Sequence, residues 1–183
     1  ISSISDDIAY NNHDIQDGIR ANLFYFKDLI EINFFKEIYK SQKRNIKGKN
    51  QNILIYQIIR DSIDLMVKDL ITNTLKNINT YKIKNLRNVY NWPDNLVRFS
   101  NKFKNIENEI RSFLRKKMYN NKNVLKKNNE GKKIVKKLFE KISKKPNKFL
   151  SVENLKNGKH RAISDFISGM TDRYAINLYN NIK

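Results

Sequence analysis

The chain has 183 residues, 39% hydrophobic and 11% aromatic, with a formal net charge of +19, which is room for one domain with a sizeable core and not for two comfortable ones. With no cysteine it cannot form disulfides, zinc–thiolate centres or thiol nucleophiles, and no apolar run approaches the roughly 18 residues of a membrane span. Five glycines and two prolines are too few for the turns of an all-β design, so the expected fold is all-α, a multi-helix bundle read as a single domain over residues 1–183.

The first predicted helix runs from about Ser3 to Tyr39, with Ile4, Ile8, Ile15, Ile19, Leu23, Phe26 and Ile30 at helical spacing and a break expected near Gly18 or Asn33. Residues 40–52, KSQKRNIKGKNQN, read as a polar basic connection. Residues 53–78 form a second helix whose positions Ile55, Ile58, Ile59, Ile63, Met66, Val67, Leu70 and Ile71 predict one wide buried stripe. Trp92-Pro93 sets a turn, with Asp94 as the expected N-cap. A third helix is expected over 107–119 and a fourth over about 124–143. Residues 144–159 read as a loop around Pro146, and a last helix runs from about His160 to Asn180.

Charge is unevenly spread. Residues 1–38 hold seven acidic and three basic residues, so residues 39–183 carry 34 bases against 11 acids. A lysine-rich solvated surface and a polyanion-facing surface both account for that excess. The acids gather in DDIAYNNHDIQD, residues 6–17. At about 100° per residue, Asp6, Tyr10, His13 and Asp17 share one helix face, Asp14 lies slightly outside it, and Ile8, Ile15 and Ile19 form the opposite face. A rigid helix with carboxylates flanking a phenol suits a layered site for a divalent metal and an organic ligand. It equally suits a solvated acidic face or a favourable charge cluster near a helix N-terminus.

DDIAYNNHDIQDGIRANLF (6–24) resembles the final metal-site helix of the HD-domain deoxynucleoside triphosphate triphosphohydrolases, the dGTPase-like family. RAISDFISGMTDRYAINLY (161–179) resembles that family's C-terminal helix, around the run from Gly169 to Ala175. IIRDSIDLMVKDLI (58–71) and IRSFLRKKMYNNKNV (110–124) resemble the helices between, in order and spacing. The resemblance covers essentially the whole chain, as the C-terminal half of the family's catalytic region. It implies a hydrolase that uses a divalent metal, magnesium, manganese or similar, to cleave a deoxynucleoside triphosphate to deoxynucleoside and inorganic triphosphate, working as a cytoplasmic homo-oligomer. Asp6 is implied as a metal ligand, Tyr10 as a contact to the sugar and triphosphate, and Asp14 as acceptor for the sugar 3′-hydroxyl. More distantly, Arg111 and Tyr119 are implied contacts to the triphosphate and the nucleoside. Arg115, Lys116 and Lys117 share the basic helix with Arg111.

The family's other metal ligands, a first histidine and an adjacent His-Asp pair, are expected before Ile1. His13-Asp14 does not replace them, because it lies inside the final-aspartate helix, and His160 reads as a surface or capping residue. The chain by itself is therefore expected to lack turnover. In the C-terminal motif, Ile163, Phe166, Ile167, Met170, Tyr174 and Leu178 predict a buried stripe. Gly169 is expected at a close helix approach, and Asp172 with Arg173 in pairs to neighbouring helices. Two other readings stand beside the hydrolase. One is a basic helical nucleic-acid-binding module over residues 82–160, interleaved with Tyr81, Tyr90, Trp92, Phe99, Phe103 and Tyr119, and the other is a degenerate, non-catalytic remnant.

Overall fold

The computed structural model describes residues 1–43, 51–156 and 158–182, and among them every regular element is helical. The chain divides into two compact units, Ile1–Asn121 and Lys122–Lys183, each with its own apolar core. No helix of the described residues is long and apolar enough to cross a membrane.

In the first unit, α1 (Ser2–Arg20) buries Ile8 and Ile15 as their spacing predicts. It ends because the chain turns back on it: Asn22 adopts a left-handed φ of 54°, and the Leu23 N–H donates to the Gly18 carbonyl at 2.9 Å. Asparagine tolerates that region better than most residues. The returning chain lays Phe24 across Gly18, so closely that a Cβ there would meet the ring at 2.2 Å. The short helix α2 (Phe26–Leu29) follows, then α3 (Asn33–Lys43). Both expected breaks in the first predicted helix are thus present. Residues 44–50 of the predicted basic connection lie outside the described residues.

Helix α4 (Gln51–Thr80) carries Ile55, Ile58 and Ile59 into one cluster and Met66 and Leu70 into another. Val67 and Ile71 do not join them. They are exposed, in line with Leu75, so the buried stripe is narrower than the sequence implies. Toward its C-terminal end the buried face of α4 turns polar and organises the chain that follows. Asn77 and Asn73 donate through Nδ2 to the carbonyls of Leu96 (2.9 Å) and Arg98 (2.8 Å), and Asp69 accepts from the backbone N–H (2.9 Å) and the hydroxyl (2.7 Å) of Ser100. Residues 69, 73 and 77 are one turn apart, so they form a ladder holding residues 96–100 extended along the helix.

After α5 (Leu86–Tyr90), Trp92 packs its ring on Tyr81 with centroids 3.9 Å apart. Asp94 is not an N-cap. It accepts from the Asn95 N–H and pairs with Arg98, and α6 (Asn101–Leu114) begins instead at Ser100, whose hydroxyl accepts from the Phe103 N–H. Tertiary anchoring by Asp69 selects Ser100 over an equally suitable capping residue six positions earlier. Helix α6 runs directly into a π-helical turn, Arg115–Tyr119. α1 packs along α4 and against α6.

In the second unit, α7 (Lys122–Lys144) buries Leu138 and Ile142 beneath Leu150 and Ile163. The predicted loop after it contains a 3-10 turn at Pro146–Lys148 and the short helix α8 (Val152–Leu155). The last predicted helix is two: α9 (Lys159–Ser168) closes at Gly169, and α10 (Asp172–Asn181) opens with the Thr171 side chain accepting from the Tyr174 N–H. Ile163 is buried, Phe166, Ile167, Met170 and Leu178 are partly buried, and Tyr174 is exposed. Gly169 sits at no close helix approach, since the nearest atoms to a Cβ there are carbonyls of its own helix, at 3.5 Å and beyond. Among the described residues Asp172 and Arg173 form no ion pair, and the pair on these helices is Arg161–Asp165 at 2.9 Å.

Gly18→Ala must displace the buried Phe24 ring, and a loss of about 1–3 kcal/mol is expected, the range for overpacking. Thermal denaturation checks it. Asp69→Ala removes both acceptors from Ser100 and is expected to cost about 1–3 kcal/mol, the range for stranding partly buried donors. Amide exchange at the start of α6 should then rise more than exchange within α4.

Candidate functional site

The acidic run of α1 is distributed among separate partners. Asp17 lies 3.9 Å from Arg20, a solvent-exposed pair of little energetic weight. Asp7 pairs with Arg111 of α6, Oδ2 to Nη2 at 2.7 Å. Asp14 accepts a hydrogen bond from the Tyr119 hydroxyl at the end of the π-helical turn. Asp6 is exposed and makes no hydrogen bond or ion pair among the described residues. Tyr10, one turn from both Asp6 and Asp14, is 67% exposed. His13 is exposed on the same side of the helix.

This arrangement follows from the seating of α1. With Ile8 and Ile15 buried, the flanks of the helix present Asp7 and Asp14, two turns apart, to α6. Arg111 and Tyr119 answer them across 104 and 105 residues of chain. A π-turn carries an extra residue and re-aims the side chains beyond it, which is why such turns recur at functional positions. Here Met118 packs against the core, and the Lys117 ammonium reaches Asp28 at 3.1 Å. Asp28 is also the acceptor for the Tyr25 N–H at 2.7 Å, and that bond, then Lys117, holds its carboxyl below the ordinary 3.8. The π-turn is thereby tied to α2.

Of the sequence-predicted residues, Asp14, Arg111 and Tyr119 come together, with Tyr10 and Asp6 continuing along the same helix. The basic helix is not a uniform cationic surface: Arg111 is engaged by two carboxylates, Lys117 by Asp28, and Arg115 and Lys116 are exposed. His160 is exposed near the Phe139 ring, centroids 6.0 Å apart, and does not cap α9. The aromatics of the basic region are dispersed. Phe99 and Phe103 belong to a core cluster, Trp92 lies on Tyr81, and Tyr90 is exposed.

Two participants were not singled out by the sequence. Glu107 is 2% exposed, forms an ion pair with Arg111 through Nε and accepts from Lys104 Nζ at 2.7 Å. Asp7 is the second. The spacing of Glu107 and Arg111, four apart on one helix, is a legible pairing signal; the burial of Glu107 and the reach of Asp7 depend on tertiary packing. Among the described residues no three His, Asp or Glu side chains come close enough together to hold a metal. Asp6 offers one carboxylate, the hard oxygen donor that magnesium or manganese takes.

Burial, then the hydrogen bond to Asp14, push the Tyr119 phenol up to about 12, with Arg111 opposing. The phenol is therefore a donor over all physiological pH, and Asp14 remains an acceptor already engaged.

Residues 97–181 match the model of the phosphohydrolase-associated domain family. Over its whole length the chain is 69% identical to a deoxyguanosinetriphosphate triphosphohydrolase-like protein of Pelagibacter ubique, of which the alignment covers 49%. It is 34% identical to proteins of the same description in Leptospira interrogans and Rickettsia prowazekii, again across all of this chain and 49% of theirs. The chain spans about half the length of the relatives it matches.

In 13C-tyrosine-labelled protein, the Tyr119 Cζ resonance should hold its neutral position past pH 10, the ordinary phenol value, and in Asp14→Asn its ionisation should move down toward it. A proton held more tightly in the folded state means stability that is complete below pH 10 and falls as pH rises toward 12. Tyr119→Phe is expected to flatten that alkaline decline.

Proposed function

We propose, from a chain that belongs to the deoxyguanosinetriphosphate triphosphohydrolase-like family and corresponds to the C-terminal half of its members, that α1 and α6 form one wall of a site that binds a deoxynucleoside triphosphate and a divalent cation. In the full-length protein that carries this chain, water adds to the α-phosphorus and the bond to the 5′-oxygen breaks, releasing deoxynucleoside and inorganic triphosphate.

The observation that carries the reading is the convergence of Asp14, Tyr119 and Arg111 from opposite ends of the first unit. These are the residues that the family resemblance assigns to sugar, nucleoside and triphosphate. Each has chemistry suited to its role. The Asp14 carboxylate accepts a hydrogen bond now supplied by the Tyr119 phenol, and a sugar 3′-hydroxyl is a donor of the same kind. Tyr10 presents an exposed ring one turn away, able to pack on the sugar and exclude water from one side. The Arg111 guanidinium, planar and permanently charged, suits phosphate oxygens better than a lysine would.

Asp6 is the carboxylate of the run with no partner among the described residues, which fits a metal ligand, and the further ligands come from outside this chain. When bound, the divalent ion supplies Lewis-acid polarisation of a phosphate oxygen or a more acidic water. The chain's own residues bind and orient: Asp14 and Tyr119 fix the sugar end, and Arg111 neutralises and positions the phosphate end. Under the same reading the protein works in a reducing, cytoplasmic setting as a homo-oligomer.

The test is triphosphate release from dGTP and the other deoxynucleotides by the full-length protein with magnesium or manganese. Asp6→Asn should reduce metal-dependent turnover by at least about 100-fold, the scale of losing a directly coordinating or catalytic group. Turnover within a few-fold of the parent in that variant would refute the assignment. The 183-residue chain by itself should show none.

A further inference from the structure

Arg111 is held with unusual completeness for a side chain on a helix surface. Glu107, one turn before it and 2% exposed, forms an ion pair with it through Nε. Asp7, from a different helix, lies against Nη2 at 2.7 Å. The second oxygen of Glu107 accepts from the Lys104 ammonium at 2.7 Å, so both oxygens of the carboxylate are engaged. Among the described residues no carboxylate engages Nη1. One edge of the guanidinium is therefore filled and the outer edge is left open.

A nearly buried carboxylate is costly unless it is paired and hydrogen-bonded, and the two cations on Glu107 meet that requirement. The partners are unequal. The Asp7 side chain is 42% exposed and screened by solvent, whereas the Glu107 side chain is 3% exposed, so Glu107 sets the geometry. An arginine loses much rotamer freedom when fixed by a ligand. One already fixed in the free protein loses less on binding, which is the general advantage of preorganisation.

We propose that Glu107 is a positioning residue: it orients the Arg111 guanidinium, with Asp7 as the outer stop, so that the open edge meets the polyphosphate of the substrate. The proposal rests on the reading of Arg111 as a phosphate contact. Glu107 touches no substrate itself, and its effect passes through Arg111 alone.

The experiment is steady-state dNTP hydrolysis by the full-length protein, with Glu107→Gln, Arg111→Ala and the double variant. Glu107→Gln keeps the shape and removes the charge. It should raise KM about 10-fold with kcat within about twofold, the signature of lost binding rather than lost chemistry, and it should add nothing in the Arg111→Ala background. A purely structural role would give additive losses and a lower Tm without this split. In 15N spectra of the parent protein, the Arg111 Nε–H should exchange slowly with solvent and should be broadened away in Glu107→Gln. If Arg111→Ala raises KM and Glu107→Gln leaves KM and the Nε–H signal unchanged, the positioning role is wrong and the phosphate contact stands. An unchanged KM in Arg111→Ala overturns the phosphate contact and, with it, the positioning role. Should Glu107→Gln melt below the assay temperature, Arg111→Lys takes its place. An ammonium cannot span both carboxylates and present an open edge, so KM should rise as in Arg111→Ala, and a parental KM would overturn the proposal.

Discussion

Every feature of the candidate site depends on the rotation of α1 about its own axis, and that rotation is fixed by burial of Ile8 and Ile15 against α4 and α6. Fully burying an isoleucine is worth about 1.5–3 kcal/mol, so turning the helix far enough to hide Asp7 or Asp14 would forfeit several kcal/mol of apolar burial and add the cost of a buried charge. The polar part of the same interface offsets some of that gain. Asn12, fully buried, donates to the Ile8 carbonyl at 2.8 Å and lies 3.7 Å from the Met66 sulfur. Its Oδ1, the Asn11 Nδ2 and the Ser62 Oγ are buried without a partner among the described residues. Buried polar atoms of this kind cost stability, about 1–3 kcal/mol each, so the apolar contacts are what hold the rotation.

The other side of the site is positioned from further away. The ladder of Asp69, Asn73 and Asn77 fixes residues 96–100, Ser100 starts α6 at a defined place on α4, and the helix then delivers Glu107, Arg111 and Tyr119 at set heights along α1. The π-turn adds the last adjustment, and Lys117 to Asp28 ties that turn to the segment leaving α1. Thus α6 and its π-turn are linked at three levels to α1 and the helix after it: Asp7–Arg111 and Asp14–Tyr119 on α1, and Asp28–Lys117 on α2. An element held at several heights cannot tilt without breaking one of them, which suits a wall whose function is to present groups at fixed spacing.

Those levels differ in how far the sequence discloses them. The apolar period of α1 is plain, and its end near Gly18 is legible because a glycine with an asparagine four residues on is what a chain reversal can use. The division of the last helix is legible in kind, since Gly169 followed two residues later by Thr171 is a stop and a start. A continuous apolar period across that interval overrides those local signals in a sequence reading. Ser100 against Asp94 cannot be decided locally, because both cap helices well and the decision lies with Asp69, 31 residues away. The stripe of α4 is over-read at Val67 and Ile71 for a related reason: periodicity identifies apolar positions and says nothing of which neighbours arrive to cover them. Arg111 and Tyr119 are reached only through the resemblance of whole segments, and Glu107 and Asp7 only through packing.

Charge accounting connects the site to the composition of the chain. Asp7 and Glu107 are matched by Arg111 and Lys104, Asp14 is engaged by a neutral phenol, and Asp6 has no partner among the described residues. The +19 of the chain is therefore not concentrated on these groups, four carboxylates against two cations. A set of that net sign does not attract a polyphosphate by its field. Its contribution under the proposed reading is orientation: one fixed guanidinium edge, one hydroxyl acceptor and one exposed ring. The unmatched carboxylate at Asp6 then becomes the feature that makes the arrangement coherent. It would be a liability facing an anionic ligand directly, and it becomes useful only with a cation between the two.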